Sequence, residues 1–263
     1  MDEQQHILFS IKGHVATLTL NRPDTLNAID EDMHQELLET LLGIRGNHEI
    51  RAVLLAASGK AFSAGGDLNE IRSLHLDAGK RNRMADIGIR LIEALMEIPV
   101  PVVVALHGHA IGLGASIALS SDIIVASRNA KLADTHVKVG LVAGDGGCLI
   151  WPMSMGFNRA KRYLLTGKML PAEQAYEFGL VTDLVESPEE VLPLAAGIAE
   201  ELAALSPLAV QGTKKALNQL AKARANEVFP LGMAYESLSI GSSDVLEALA
   251  GFQEKRKPEF KGY

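Results

Sequence analysis

Three glycine-rich turns are the places where this chain could do chemistry: Ala64-Gly65-Gly66-Asp67, Gly108–Gly114, and Val142-Ala143-Gly144-Asp145-Gly146-Gly147. Each lacks side-chain bulk, so a ligand can approach the main chain closely. Each is read as following an extended run and entering a helix. The first N–H groups of a helix have no internal partner and sit at the positive end of its dipole, so such turns suit an anion or an oxyanion. Glycines also make plain tight connections, and one such turn alone implies no more than that.

Other chemistries fit the residues less well. A dinucleotide fingerprint fails because Gly112-Leu113-Gly114 is followed three residues later by Ile117, and Gly144-Asp145-Gly146 by Leu149. No G-x-x-x-x-G-K-[ST] loop is present. His107 and His109 lie two apart with no carboxylate close in sequence and no second cysteine, so no metal site is expected. Ala61-Phe62-Ser63-Ala64-Gly65 is a variant of a nucleophile elbow, with Asp122 and His136 following in the order of an α/β-hydrolase. That alternative, a serine hydrolase built on Ser63, suffers because no histidine occurs after His136.

The elements that must position these turns can be read from the pattern. Ile7–Ile11 and His14–Leu20 alternate across Lys12-Gly13, which predicts a strand pair joined by a tight turn. Asp30, Glu31 and Asp32 precede Met33, Leu37, Leu38, Leu41 and Leu42, the charge and spacing of an amphipathic helix start. RAVLLAA (51–57), VVVAL (102–106) and DIIVAS (122–127) are short apolar runs of strand length, with the first covered on both faces. Between them a stripe of Met84, Ile87, Leu91, Ile92 and Leu95 predicts a helix that Pro99 and Pro101 stop, and Ala115–Ser120 a short one. Strand, glycine turn and helix alternate, so the fold class is α/β. From Pro188 the chain reads as wholly helical, in segments divided by Ser206-Pro207, Pro230 and Gly241. Residues 1–190 are therefore assigned to a core carrying the site, and 191–263 to a helical packing or oligomerisation region.

Composition removes further classes. With 25 basic and 32 acidic residues the net charge is −7, the wrong sign for a chain built to hold nucleic acid or an anionic membrane. The longest apolar run, near Ile98–Leu106, is broken by prolines and far short of the ~20 residues of a membrane helix. The acidic start MDEQQHILFS and the single Cys148 lead to the expectation of a cytoplasmic chain without disulfides.

Taken in order, the motifs resemble the enoyl-CoA hydratase/isomerase family of the crotonase superfamily. They are Asn21-Arg22-Pro23 with Asn27-Ala28, Gly59–Leu68, His107–Gly114 before Asp122-Ile123-Ile124, and Val139-Gly140-Leu141 before Gly146-Gly147. Leu165-Thr166-Gly167, Ala172–Val181 and Phe252–Phe260 complete the series. The resemblance implies a spiral of ββα units followed by an all-helical trimerisation region, assembled as a homotrimer or a dimer of trimers. It implies an acyl-CoA thioester as ligand, coenzyme A entering as part of the substrate, with no separate cofactor. It places the two amides that bind the thioester oxygen at Gly66 and Leu113. It also implies that Ala64, Asp67 and Leu68 present backbone groups to the adenine, that Arg22 and Ala28 lie along the coenzyme path, and that Phe252 and Lys255 reach toward a neighbouring subunit's ligand. Lys255-Arg256-Lys257 is a basic island suited to phosphates, or a solvated tail.

The sequence departs from the hydratase pattern where two glutamates would flank the reacting carbons. Ser116 stands at the first position and His136 at the second. A serine is no general base near neutrality without help, whereas a histidine is. Asp145, in the third turn, lies beside the place where some isomerases carry an aspartate; it either moves protons or caps the helix after it. Glu70 and Asp134 are further available carboxylates. The expected activity is an acyl-CoA lyase or isomerase passing through a thioester enolate. The alternative of another class is a crotonase-fold acyl-CoA-binding protein that has lost its acids.

Overall fold

The computed structural model describes residues 5–263. Its strands, in chain order, are β1 (Ile7–Lys12), β2 (Val15–Leu20), β3 (Ala52–Ala57), β4 (Val102–Leu106), β5 (Ala110–Ile111), β6 (Ile123–Ser127), β7 (Lys131–Ala133), β8 (Leu170–Pro171) and β9 (Asp183–Val185). The helices are α1 (Glu31–Arg45), α2 (Leu68–Leu76), α3 (Ala78–Glu97), α4 (Leu113–Leu119), α5 (Gly147–Met155), α6 (Phe157–Leu164), α7 (Ala172–Glu177), α8 (Pro188–Ala204), α9 (Pro207–Ile240) and α10 (Ser243–Glu254).

A six-stranded sheet in the order β1-β2-β3-β4-β6-β9 carries the fold, and β5, β7 and β8 form a smaller sheet. β1 and β2 pair antiparallel in the expected hairpin, while the remaining neighbours in the large sheet are parallel. The apolar run of β3 shows why the sheet is covered on both faces. Val53 and Leu55 join the main core with Leu37, Leu91 and Ile92, whereas Ala52, Leu54 and Ala56 pack with Val191, Ala195 and Ala199 of α8. Alternate side chains of one strand thus serve two separate layers. The Asp30 carboxylate accepts a hydrogen bond from Met33 N at 3.0 Å, so the acids before α1 act as a cap as well as a charge signal.

Two sequence expectations change. The third glycine turn follows a 3-10 turn, His136–Val139, rather than a strand. Pro230 does not divide the late helices: α9 runs unbroken for 34 residues, with Pro230 on its exposed side. The residue whose carbonyl that proline leaves unpaired, Asn226, is itself exposed, which lowers the usual cost. The boundary drawn at 190/191 falls inside α8 (Pro188–Ala204), whose buried face packs on the sheet. Lys214 of α9 is pinned to the sheet by Nζ donating to Val100 O at 2.9 Å and pairing with Asp122 at 2.6 Å. Among the described residues no single helix is long and apolar enough to cross a membrane.

Candidate active site

The first two glycine turns are joined through their main chains. Phe62 N and Ser63 N both donate to His109 O, at 3.0 and 3.1 Å, and Ile111 N donates to Ser63 O at 3.0 Å. Gly114 makes the contact possible, since a Cβ there would lie 2.5 Å from the Ser63 Cβ. Asn27 holds the first turn from the other side, its Nδ2 donating to Ser58 O and Ala61 O at 2.8 and 2.9 Å. The outcome is that Gly66 and Leu113 line one cavity of about 150 Å³. Neither amide has a backbone acceptor among the described residues, because the bridge between Ile29 and Gly66 uses Ile29 N to Gly65 O and Asp67 N to Ile29 O. Leu113 N heads α4, where an N–H has no partner within the helix.

The same cavity is lined by His136 and Asp145. Asp145 Oδ1 accepts from Ser116 Oγ at 3.1 Å and Oδ2 faces His136 Nε2 at 3.3 Å, while His136 Nδ1 pairs with Asp134 Oδ1 at 2.7 Å. Four groups from α4, β7's end, the 3-10 turn and the third glycine turn thus form one buried line. Helix α5 is capped at Gly146 without a side-chain bond, so Asp145 is not its cap. Ser116 orients the aspartate. The donor atoms of Asp134, His136 and Asp145 lie within 4.8 Å of one another, but both imidazole nitrogens face carboxylates. That is the arrangement of a doubly paired imidazolium.

Burial opposes a charge on His136, yet Asp145 and then Asp134 outweigh it and hold the imidazole well above its usual range. Burial raises the Asp145 carboxyl, and His136 with the Ser116 hydroxyl overcomes that and lowers it. The pair is therefore an ion pair near neutrality. The His136 ring also lies against the second turn: a Cβ on Gly112 would be 3.5 Å from its Cε1. A fixed positive charge stands one residue from the Leu113 amide.

The serine-hydrolase constellation is not assembled. Ser63 is fully buried, with Oγ donating to Asn27 O at 2.7 Å and accepting from Gly65 N at 3.1 Å. Asp122 is occupied by Lys214 and by Val102 N at 2.7 Å, away from His136.

Residues 10–263 match the family model described as enoyl-CoA hydratase/isomerase. The chain belongs to the enoyl-CoA hydratase/isomerase family. It is 33% identical over 98% of its length to 1,2-epoxyphenylacetyl-CoA isomerase of Escherichia coli strain K12, covering 99% of that protein. It is 35% identical to (E)-benzylidenesuccinyl-CoA hydratase of Thauera aromatica, with 97% and 99% of the two chains covered. The crystal structure of an enoyl-CoA hydratase/isomerase from Mycobacterium paratuberculosis superposes with a TM-score of 0.90 at 34% identity, over 95% of this chain and 99% of that one. The fold is thus the crotonase fold with a helical C-terminal region.

The residues that family resemblance assigned to coenzyme A are only partly at this cavity. Ala64, Asp67 and Leu68 line it, while Ala28, Phe252 and Lys255 do not. Arg22 is not a free phosphate partner: its guanidinium pairs with Asp30 at 2.8 Å, approaches Asp67 at 3.7 Å and donates to Ala28 O. Asp67 spends its carboxylate on the N-terminus of α2, accepting from Asn69 N at 2.8 Å. Phe252 is exposed, and in the basic island Arg256 is tied to Glu247 and Glu254. Glu70 lines the cavity but pairs with Lys80 at 2.9 Å.

Two buried ionisable residues of the cavity wall escaped sequence reading. His34 on α1 and Glu236 on α9 both line the cavity, buried. His34 sits next to Met33 within the apolar stripe of its helix, which is a signal available in sequence: a histidine on a core-facing position. Glu236 had none, since α9 is polar along much of its length. Desolvation holds His34 down to about 4, with Asp145 only partly countering it. Desolvation, then Asp145, pushes the Glu236 carboxyl up to about 8.

Proposed function

We propose that this chain is an acyl-CoA thioester lyase or isomerase of the enoyl-CoA type, using Gly66 and Leu113 as its oxyanion hole. The observation that carries the proposal is the meeting, in one cavity, of those two turns with the Asp145 carboxylate. Hydrating an enoyl thioester, or shifting its double bond, builds negative charge on the thioester oxygen. Main-chain donors fixed before the reaction stabilise that charge without reorganising, and one donor is typically worth ~3–4 kcal/mol of barrier. His136 adds positive potential at the second turn. Asp145 takes a proton from carbon or from water, and Ser116 and His136 keep its oxygens oriented and its pKa low enough to be ionised at neutral pH. The missing glutamate pair is thereby replaced by one aspartate held in a network.

The coenzyme moiety is assigned to the outer side of the first turn, along Ala64 and Leu68, with Lys255 from a neighbouring copy. Exposed leucines along α9, among them Leu217, Leu220, Leu231 and Leu238, support assembly into a homotrimer or a dimer of trimers. Light scattering on a sizing column tests the assembly, and a monomer at micromolar concentration would remove it.

The functional test is a turnover screen over saturated, 2-enoyl and 3-enoyl CoA thioesters with products identified by mass spectrometry. Water addition to, or double-bond migration in, at least one enoyl thioester is expected. Tight binding of every thioester with neither turnover nor exchange of the α-proton would leave an acyl-CoA-binding protein instead.

A further inference from the structure

His34 and Glu236 belong to neither the paired amides nor the Asp145 line, yet both contribute to the cavity wall. The lining around them mixes hydrocarbon, including Met84, Leu141, Met233 and Ile240, with Asp145, whose charge acts on both groups. His34 Nε2 and Glu236 Oε2 are buried without hydrogen-bond partners. The fold makes room for the glutamate: a Cβ on Gly144 would come 2.7 Å from Glu236 Oε2 and 2.4 Å from Gly232 O, so only glycine lets α9 press this side chain against the third turn. With burial keeping the carboxyl protonated and the imidazole neutral, Glu236 carries an O–H donor and His34 a ring nitrogen of either role.

An acyl chain of hydrocarbon alone would fill this cavity and leave both groups unpaired, which is the costly way to bury a polar atom. A site built to hydrogen-bond an oxygen rejects the analogue that lacks it, because its own polar groups are then stranded. We infer that the acyl group this cavity accepts carries an oxygen function, a keto or hydroxyl group, that takes a hydrogen bond from Glu236 and a second contact from His34. The inference rests on the CoA-thioester reading above and narrows its substrate class. Of the other lining groups, Glu70 is held by Lys80 at 2.9 Å, and Arg81 turns its guanidinium to the carbonyls of Leu74 and His75 at the end of α2, at 2.8 and 3.3 Å.

The test is equilibrium binding by calorimetry of matched six-carbon thioesters: hexanoyl-CoA, 3-oxohexanoyl-CoA, 5-oxohexanoyl-CoA, 5-hydroxyhexanoyl-CoA and adipoyl-CoA. At least one oxo or hydroxy thioester is expected to bind about tenfold or more tightly than hexanoyl-CoA. The ratio should fall to near one in Glu236→Leu, fall part-way in His34→Leu, and persist in Glu236→Gln, which retains a donor and reports on folding. No preference for any oxygenated chain, or a preference that survives Glu236→Leu, overturns the inference. Tightest binding of adipoyl-CoA would shift polar recognition to Arg81 and overturn it as well. Failure of every thioester to bind, hexanoyl-CoA included, would instead retire the CoA reading itself.

Discussion

The two sides of the cavity are built in different ways. The side bearing Gly66 and Leu113 is main chain, drawn from two local turns that bond to each other through His109 O and Ser63 O. The side bearing Asp145 is side chain, and its members come from positions as far apart in sequence as His34, Ser116, Asp134, His136 and Glu236. A wall of main-chain donors tolerates changes of side chain so long as the backbone path survives, so in the proposed oxyanion hole a leucine at 113 still offers its amide. The side-chain wall depends on burial, because the same carboxyl and imidazole groups in water would be ordinary acids and bases. Here the environment sets Asp145 low, His136 high and Glu236 high within one cluster. Diverging pKa values among neighbouring groups are a hallmark of sites that move protons.

The largest break in this comparison should come from the side-chain wall. Asp145→Asn is expected to lower kcat by ~10³-fold while KM for the thioester changes little, since proton transfer by a placed side chain is typically worth ~10²–10⁴-fold. Steady-state kinetics on the substrate found in the screen decides it; unchanged kcat removes Asp145 from the mechanism. The backbone wall is struck next by Gly65→Ala. Gly65 has φ +91°, and a Cβ would sit 2.7 Å from Ile111 O, so the first turn must shift away from the second. A loss near 10²-fold in kcat is expected, the size of one displaced oxyanion donor, together with a lower Tm.

The contrast can also be sharpened by pH, with turnover left aside. The folded pKa of Glu236, about 8, lies above the ordinary 4.5 of a free glutamate, so its neutral form favours the native state fully below 4.5. That contribution is lost as pH climbs from 4.5 through about 8. Glu236→Gln is therefore expected to gain Tm over the parent progressively across this window and to hold a constant gain above it. His136 acts in the same direction, with its stabilisation complete below 6.5 and lost as pH rises through its higher folded value. A residual fall in Tm between 6.5 and that raised value in Glu236→Gln should accordingly vanish in Glu236→Gln/His136→Gln. Melting curves across pH 5–9 that run parallel for parent and Glu236→Gln would contradict the buried neutral carboxyl. The smallest effect is expected from Ser116→Ala. It removes one neutral hydroxyl from Asp145 Oδ1, a bond worth ~1 kcal/mol, and should cost kcat no more than about tenfold.

Much of the scaffold was legible before the structure. The hairpin, β3, β4 and β6, the capped α1 and the first two turns appear where hydrophobic period and glycine placement put them. Where reading failed, a tertiary contact had overridden a local rule. Pro230 marks a helix end in isolation, but its exposed position on a helix packed on its other side let α9 continue. Gly144 and Gly147 looked like part of an anion-binding turn. They are small because Gly232 O and the Asp134 carboxylate occupy the space a Cβ would need. Family resemblance placed Arg22 along the coenzyme path, and in the fold Asp30 and Asp67 pair with its guanidinium.

By itself the order of residues determined the family, the α/β alternation and the two turns that carry Gly66 and Leu113. Those features depend on backbone conformation and on periods of two or four residues, which are encoded within short stretches of chain. Only the tertiary structure decided that Asp145 is held by Ser116 and His136 rather than capping α5, and that Glu236 and His34 enter the same cavity. Their chemistry is set by desolvation and by charges brought together across the fold, and no local pattern records how far apart those groups stand once the chain is packed.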